Sequence, residues 1–377
     1  MGCDAGGGDR GRAASYEAAA IGDPPLLLPG DSAPWFTAPT PSNPQFAFDT
    51  AAGRYVLLAF LSKDDAALNA QALRALAANR PLFDDAKLSA FVVVRDAAIA
   101  ATAADMVGLR WFLDLDGRIS RLYGALDDSG VERPHWVILD PGLRAMGRVQ
   151  LANDPMIFDF LKRLRPPAEH AEAPLNAPVL ILPRVFEPEL CARLVALHEA
   201  DGGRFTGVMR DEGERTVAVM DELKKRRDIL VEDAALRDEL KGRLERRLFP
   251  MIQRTLGFLA TRIERYVVSC YDAADGAVFH PHRDSTTQGT AHRRFACSIN
   301  LNDDFEGGDL RFGEFGPRTY RPPLGGAVVF SCALLHEATP VTRGRRYAFL
   351  PFLYDEAAAA VLAAYEARVG QAAEPAL

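Results

Sequence analysis

His282 and Asp284 stand two residues apart, and the only histidine downstream of His292 is His336. On an extended strand, residues i and i+2 project to one side, so this pair can grip a single ion if the segment is β. Two imidazoles and a carboxylate form the donor set that holds mononuclear Fe(II) on one face and leaves the other open. The third donor must come from a distant strand. The chain therefore has to fold into sheets that bring residues 282 and 336 side by side. Arg345 and Arg346 follow, and a guanidinium past the third donor is suited to hold a dicarboxylate by paired hydrogen bonds. An isolated H-x-D triplet occurs by chance on wet surfaces, so the reading depends on its neighbours.

Those neighbours form an ordered series of words: YDAADGAVFHPHRD from Tyr271, RFACSINLNDDFEGGDLRF from Arg294, GGAVVF from Gly325 and LHEATPVTRGRRY from Leu335. In this order and spacing they resemble the prolyl-4-hydroxylase-like branch of the Fe(II)/2-oxoglutarate dioxygenases, over residues 178–355. The resemblance implies His282, Asp284 and His336 as metal ligands and Fe(II) as the metal. It implies 2-oxoglutarate and O2 as co-substrates, with ascorbate as an accessory reductant. A basic residue ten positions after the distal histidine lands on Arg346, the implied holder of the far carboxylate of 2-oxoglutarate. Tyr271 is implied as a donor to one of its carboxylates. Two alternatives stand beside these. His280 shares the strand parity of His282, but Phe279 has the spacing of the aromatic that precedes the first ligand, leaving His280 at the rim. Arg345 adjoins Arg346, yet alternation lets only one of them face inward. The implied reaction couples decarboxylation of 2-oxoglutarate, giving succinate and CO2, to hydroxylation of a peptidyl residue such as proline or of a small metabolite.

The chain of 377 residues is long enough for two domains, and 48% hydrophobic and 25% charged residues are ordinary globular values. A net charge of -7 argues against a nucleic-acid groove or an anionic membrane surface as partner. No apolar run is long enough to span a membrane. Five cysteines, at 3, 191, 270, 297 and 332, form neither a disulfide framework nor a zinc spacing, so the expected setting is reducing and cytoplasmic.

Residues 1–29 read as a flexible leader. Strand–helix–strand and then hairpin–helix follow, at Arg54–Leu61, Asp65–Asn79, Leu88–Val94, the pair flanking Pro141-Gly142, and a helix opening at Asp154-Pro155. That order predicts an α/β thioredoxin-like domain over 30–164. The words GDSAPWFTAPT at 30–40, YGALDD at 123–128 and HWVILDPGLRAMGRV at 135–149 resemble peroxiredoxin/AhpC-type redoxins. Members of that family attack peroxide with a thiolate near the position of Leu68-Asn69, and no cysteine lies between Cys3 and Cys191. The domain reads as a redoxin scaffold without its nucleophile, free to recruit a protein partner or to brace its neighbour.

Residues 165–178 make a linker. Over 179–355 a helix from Pro188 to Ala200 and another from Asp233 to Leu256 precede many short strands, the pattern of a double-stranded β-helix, or jelly roll, with supporting helices. Residues 356–377 read as a tail with a short surface helix. Gly307-Gly308 predicts a tight turn. His292 is expected in an exposed loop, and Lys224-Lys225-Arg226-Arg227 on a solvated face. A non-catalytic scaffold is the competing function, and a peroxidase is disfavoured by the missing thiol.

Overall fold

The computed structural model describes residues 26–371. Most of the leader expected over 1–29, with Cys3, and the end of the tail lie outside the described residues. In the first domain Tyr55–Phe60 (β1) is apolar on both faces and buried throughout, as a central strand covered on both sides must be. Ala66–Ala78 (α1) starts where the Asp65 carboxylate accepts from the Leu68 amide at 2.9 Å. Leu88–Val94 (β2) and Leu109–Leu113 (β3) add parallel strands, while His135–Leu139 (β4) and Ala145–Gln150 (β5) form the expected hairpin. The sheet order is β3-β2-β1-β4-β5, with β4 antiparallel to β1.

Asp154–Leu161 (α2) closes the unit with Pro155 in its first turn. Phe158 enters the core, where its ring meets Trp136 edge-on at 5.7 Å, and Phe160 is left exposed. On the opposite face Phe36, Phe48, Phe91 and Phe112 form a ring cluster. This is a thioredoxin-like domain.

In the second domain Leu180–Leu182 (β6) leads to Pro188–Asp201 (α3), which buries Leu190, Cys191 and Leu194 and stops at Gly202 in the left-handed region. A hairpin follows, Val208–Glu212 (β7) with Arg215–Val219 (β8), and then Lys224–Lys225 (β9) and Arg227–Leu230 (β10). The single helix expected over 233–256 is two, Ala234–Arg247 (α4) and Phe249–Leu256 (α5). Pro250 has no N–H to continue the first helix, so a new one starts there. Leu240, Leu244 and Ile252 from these helices pack with α3 against the larger sheet.

That sheet runs Arg262–Glu264 (β11), then in space Phe352–Tyr354 (β19), Phe295–Asn300 (β14), Arg345–Phe349 (β18), Val267–Asp272 (β12) and β10. Ala327–Ser331 (β16) also pairs with β14 and carries β6 on its other edge. The smaller sheet orders β9, Val278–His282 (β13), His336–Ala338 (β17) and Leu310–Arg311 (β15). Glu356–Gln371 (α6) follows, and its Tyr365 hydroxyl accepts from the Thr216 amide of the β7–β8 hairpin at 2.7 Å.

Two charge readings are corrected. Lys224 and Arg226 are buried, because both converge on the Asp228 carboxylate inside the domain, Arg226 at 2.9 Å and Lys224 at 3.4 Å. Burial, followed by the neighbouring Arg226, pushes the Lys224 ammonium down to about 7. His292 is likewise buried, with Nε2 2.8 Å from Glu264 Oε2, and Arg293 takes both oxygens of the same carboxylate. Burial alone would raise Glu264; its hydrogen bonds to His292 and Arg293 outweigh that and bring it to about 2.

The two domains are joined by more than the linker. Leu335 of the second domain packs into the aromatic core of the first. Arg283 is buried between them, donating to Asp49 at 2.7 Å and to Glu314 at 2.9 Å under the ring of Trp35. The Gly53 and Gly313 backbones meet so closely that a Cβ on Gly53 would lie 3.2 Å from Gly313.

Candidate metal centre

Strand register brings the distant donors together. His282 on β13 and His336 on β17 are direct cross-strand partners. Asp284 is not on the strand, as the spacing suggested, but in the turn just past it, anchored where its amide donates to the Cys332 carbonyl at 3.0 Å. One donor atom from each of the three lies within 4.8 Å of the others, a cluster no other His, Cys, Asp or Glu joins among the described residues. His336 Nε2 is 3.3 Å from Asp284 Oδ2, and His282 Nε2 is 3.6 Å from Oδ1. Bonds of about 2.1 Å at right angles would place neighbouring donors roughly 3 Å apart. The spacing fits an ion after small side-chain shifts.

The ring nitrogens agree. Nδ1 of His282 donates to the His280 carbonyl at 2.7 Å, and Nδ1 of His336 to the Leu334 carbonyl at 3.0 Å. With Nδ1 protonated in each ring, both Nε2 lone pairs point at the common site, the tautomer a ligating imidazole needs. Burial, then the adjacent His282, pushes His336 down to about 4, so it is neutral at ordinary pH. Burial opposes ionisation of Asp284, but the two imidazoles beside it hold its carboxyl well below the usual range. Phe279 stacks on His282 at 3.5 Å between centroids, and Phe330 covers His336 at 4.5 Å. His280 is exposed; a bulge between Phe279 and His282 breaks the parity that would have aligned it with its neighbour.

The two residues implied for the co-substrate are also cross-strand partners, Tyr271 on β12 and Arg346 on β18. Both are buried. Arg346 donates to Ser298 Oγ at 2.7 Å and Asn300 Oδ1 at 3.1 Å, neutral groups that orient the guanidinium without discharging it. Arg345 faces solvent and pairs with Asp272 at 2.7 Å. Gly307 and Gly308 have φ of +73° and +69°, and a Cβ on Gly308 would sit 3.0 Å from Arg346 Cδ. The Tyr271 hydroxyl accepts from Arg226 at 3.1 Å. The triad, Tyr271, Arg226 and Arg346 line one cleft of about 1580 Å³, which the first domain also lines through Trp35, Asp49 and the 37–47 hairpin.

Arg226 and Asp228 escaped the sequence reading, although alternate basic and acidic residues at 224, 226 and 228 are the mark of a strand face. In the first domain, the position of the missing thiolate is filled by α1: Asn69 is buried and exchanges hydrogen bonds with the Ser62 backbone. His135, His170 and His198 each contact a nearby backbone carbonyl, away from the triad.

Two imidazoles on neighbouring strands and a carboxylate in the turn after one of them are the donor set of the facial-triad class of mononuclear metal site. Residues 266–354 match the family model described as the 2OG-Fe(II) oxygenase superfamily, and residues 29–144 match that of the AhpC/TSA family. The chain thus carries a stretch matching the AhpC/TSA family ahead of one matching the 2OG-Fe(II) oxygenase superfamily. A PKHD-type hydroxylase of Synechococcus sp. (strain JA-2-3B'a(2-13)) is 30% identical over 124 residues, covering 29% of this chain and 54% of the relative. Another PKHD-type hydroxylase, from Maricaulis maris, is 34% identical over 89 residues, covering 23% and 40%. The chain spans about half the length, or less, of the curated relatives it matches. A solved Pseudomonas putida prolyl-4-hydroxylase aligns at 16% identity over 48% of this chain and 94% of its own, with a TM-score of 0.35. No described helix is long and apolar enough to cross a membrane.

Proposed function

We propose that the chain is an Fe(II)- and 2-oxoglutarate-dependent hydroxylase, acting on a peptidyl residue such as proline or on a small molecule. The observation that carries this is the cross-strand pairing of His282 with His336 beside Asp284, with a buried Arg346 that forms no ion pair among the described residues. The two sheets are read as a double-stranded β-helix within 179–355, with 30–164 as the redoxin-like unit and 165–178 between them. His282 and His336 would hold the metal through their Nε2 atoms, and Asp284 through a carboxylate oxygen. Fe(II), when bound, supplies the activation of O2 coupled to decarboxylation of 2-oxoglutarate. Arg346 takes the far carboxylate of 2-oxoglutarate in paired hydrogen bonds, and Tyr271 donates its hydroxyl to a carboxylate. Phe279 and Phe330 keep water from the imidazoles. Ascorbate serves as the accessory reductant, and the cytoplasm as the setting.

The test is anaerobic titration of Fe(II) and 2-oxoglutarate, followed by O2. A visible charge-transfer band and then succinate support the reading, and absence of both ends it.

The first domain takes part by position, and its 37–47 hairpin offers a wall to a protein substrate or partner. Arg283 lies between two of the ligands, and it also donates to the Ala333 carbonyl in the turn that leads to His336. Asp49 therefore steadies both ligand-bearing segments through one guanidinium. Asp49→Asn is expected to weaken Fe(II) binding by roughly 10-fold, the lower end for loss of an outer partner. Equal affinity in variant and wild type, read by metal titration, would reduce the contact to simple docking.

A further inference from the structure

Seven arginine and lysine side chains line the cleft, and five of them are already matched by carboxylates. Lys224 and Arg226 share Asp228, Arg293 is held by Glu264, Arg283 by Asp49 and Glu314, and Arg210 by Asp221. Arg346 is unmatched, and the proposed co-substrate accounts for it. Arg265 is the other.

Among the described residues Arg265 makes no ion pair and no side-chain hydrogen bond, and its Nε is shut away from solvent without a partner. Its guanidinium lies over the Phe352 ring at 4.5 Å, and Arg293 uses the same ring at 4.1 Å. Two cations on one ring repel each other as well as binding it. The backbone is strained too, since Arg265 has φ of +46°, a conformation that costs a residue with a Cβ of order 1 kcal/mol or more. Burial, then Arg293 and Arg226, lowers the guanidinium to about 10. Desolvation, repulsion and strain all oppose this arrangement; against them stand only the Phe352 ring and the attraction of Glu264 and Asp228, carboxylates already held by other cations. Such a side chain, aimed into a cleft, is a site waiting for an anion.

We propose that Arg265 forms a second anion subsite of the cleft, which takes a carboxylate of the substrate to be hydroxylated. This rests on the reading above, because there Arg346 and Tyr271 account for the carboxylates of 2-oxoglutarate. Neither is left for Arg265. The substrate class that follows is one bearing a carboxylate at a fixed reach from the carbon to be oxidised. A planar guanidinium already stacked on an aromatic ring is oriented to receive it in a bidentate pair.

Two measurements on the full chain test this. The first needs no ligand. Arg265→Met keeps the packing on Phe352 and removes an uncompensated cation, so the apo protein should melt about 2–4 °C higher. A structural arginine would give the opposite sign. The second uses Mn(II) and saturating 2-oxoglutarate to fill the first site, then compares propionate with its neutral isostere propionamide at constant ionic strength. Propionate should raise the melting temperature of the wild type and propionamide should not. The increment should vanish in Arg265→Met and survive in part in Arg265→Lys. A lower apo melting temperature or failure to fold in Arg265→Met overturns the subsite. So does a propionate increment that persists there, or equal behaviour of the two probes in the wild type. Absence of any stabilisation by Mn(II) with 2-oxoglutarate would instead count against the hydroxylase reading, and the apo comparison would still judge Arg265.

Discussion

His336→Ala is expected to abolish the charge-transfer band of the Fe(II)–2-oxoglutarate complex and with it succinate formation. Loss of a group that merely orients a ligand costs roughly 10–100-fold in metal affinity. Removing the ligand itself should cost more, because His282 at the end of β13 and Asp284 in the turn after it then offer only two donors. The site has no substitute within reach, since His280 is exposed and no other His, Cys, Asp or Glu joins the cluster among the described residues. Buried Cys332 is close by, but burial, followed by the Asp284 charge, raises its thiol well above the ordinary value and leaves it a poor ligand. Because His336 packs against Phe330 and Phe312, alanine also opens a cavity. His336→Gln therefore accompanies it, keeping most of the volume while replacing the imidazole. Both variants should lose the band; only the alanine variant should lose substantial stability. A band of wild-type intensity in either would remove residue 336 from the centre, and with it the proposed chemistry.

The site was legible where its chemistry is written in single residues at strand spacing. His282 and His336 stand out by type and distance, Tyr271 and Arg346 by the family resemblance, and register pairs 282 with 336 and 271 with 346. Alternation lets only one of Arg345 and Arg346 face inward, and the family's ten-residue spacing from the distal histidine singled out Arg346; the structure buries Arg346 and exposes Arg345. Alternation could not choose between His280 and His282: both have the same parity, and a bulge separates them that no residue pattern announced. Apolar strands such as β1 and β2 could be read because burial on both faces leaves an unbroken hydrophobic run. The hairpin β7–β8 could not, since its residues are exposed or half-buried and carry no consistent face. Buried charge was the larger blind spot. Lys224, Arg226, Arg283 and His292 look solvated in the sequence, because what allows each to be buried is a carboxylate elsewhere in the chain or on another element. The contact between domains was hidden for the same reason. Arg283 sits inside the most informative motif of the chain, and its partner Asp49 lies in the other domain.

Arg346→Ala is expected to raise the KM for 2-oxoglutarate by roughly 10- to 150-fold, the equivalent of about 1.5–3 kcal/mol for hydrogen bonds to a charged group. The sign follows from the pairing. Ser298 and Asn300 fix the fork but carry no charge, and no carboxylate among the described residues pairs with the guanidinium, so it is left to attract a dicarboxylate. The loss should fall on KM more than on kcat, because the far carboxylate does not change as its partner reacts. Arg346→Lys should recover only part of the affinity: the charge remains, but a single ammonium cannot form the two parallel bonds that a fork makes. Gly308→Ala is a distant check on the same geometry, since its Cβ would press on Arg346 Cδ and force the chain off φ of +69°. Arg345→Ala supplies the control. Its side chain is exposed and bound to Asp272, an interaction worth little at a surface, so the KM for 2-oxoglutarate should stay within about twofold of wild type. If Arg345→Ala raised KM more than Arg346→Ala, the strand would have to be turned over, and the co-substrate pocket would lie on the other face of β18.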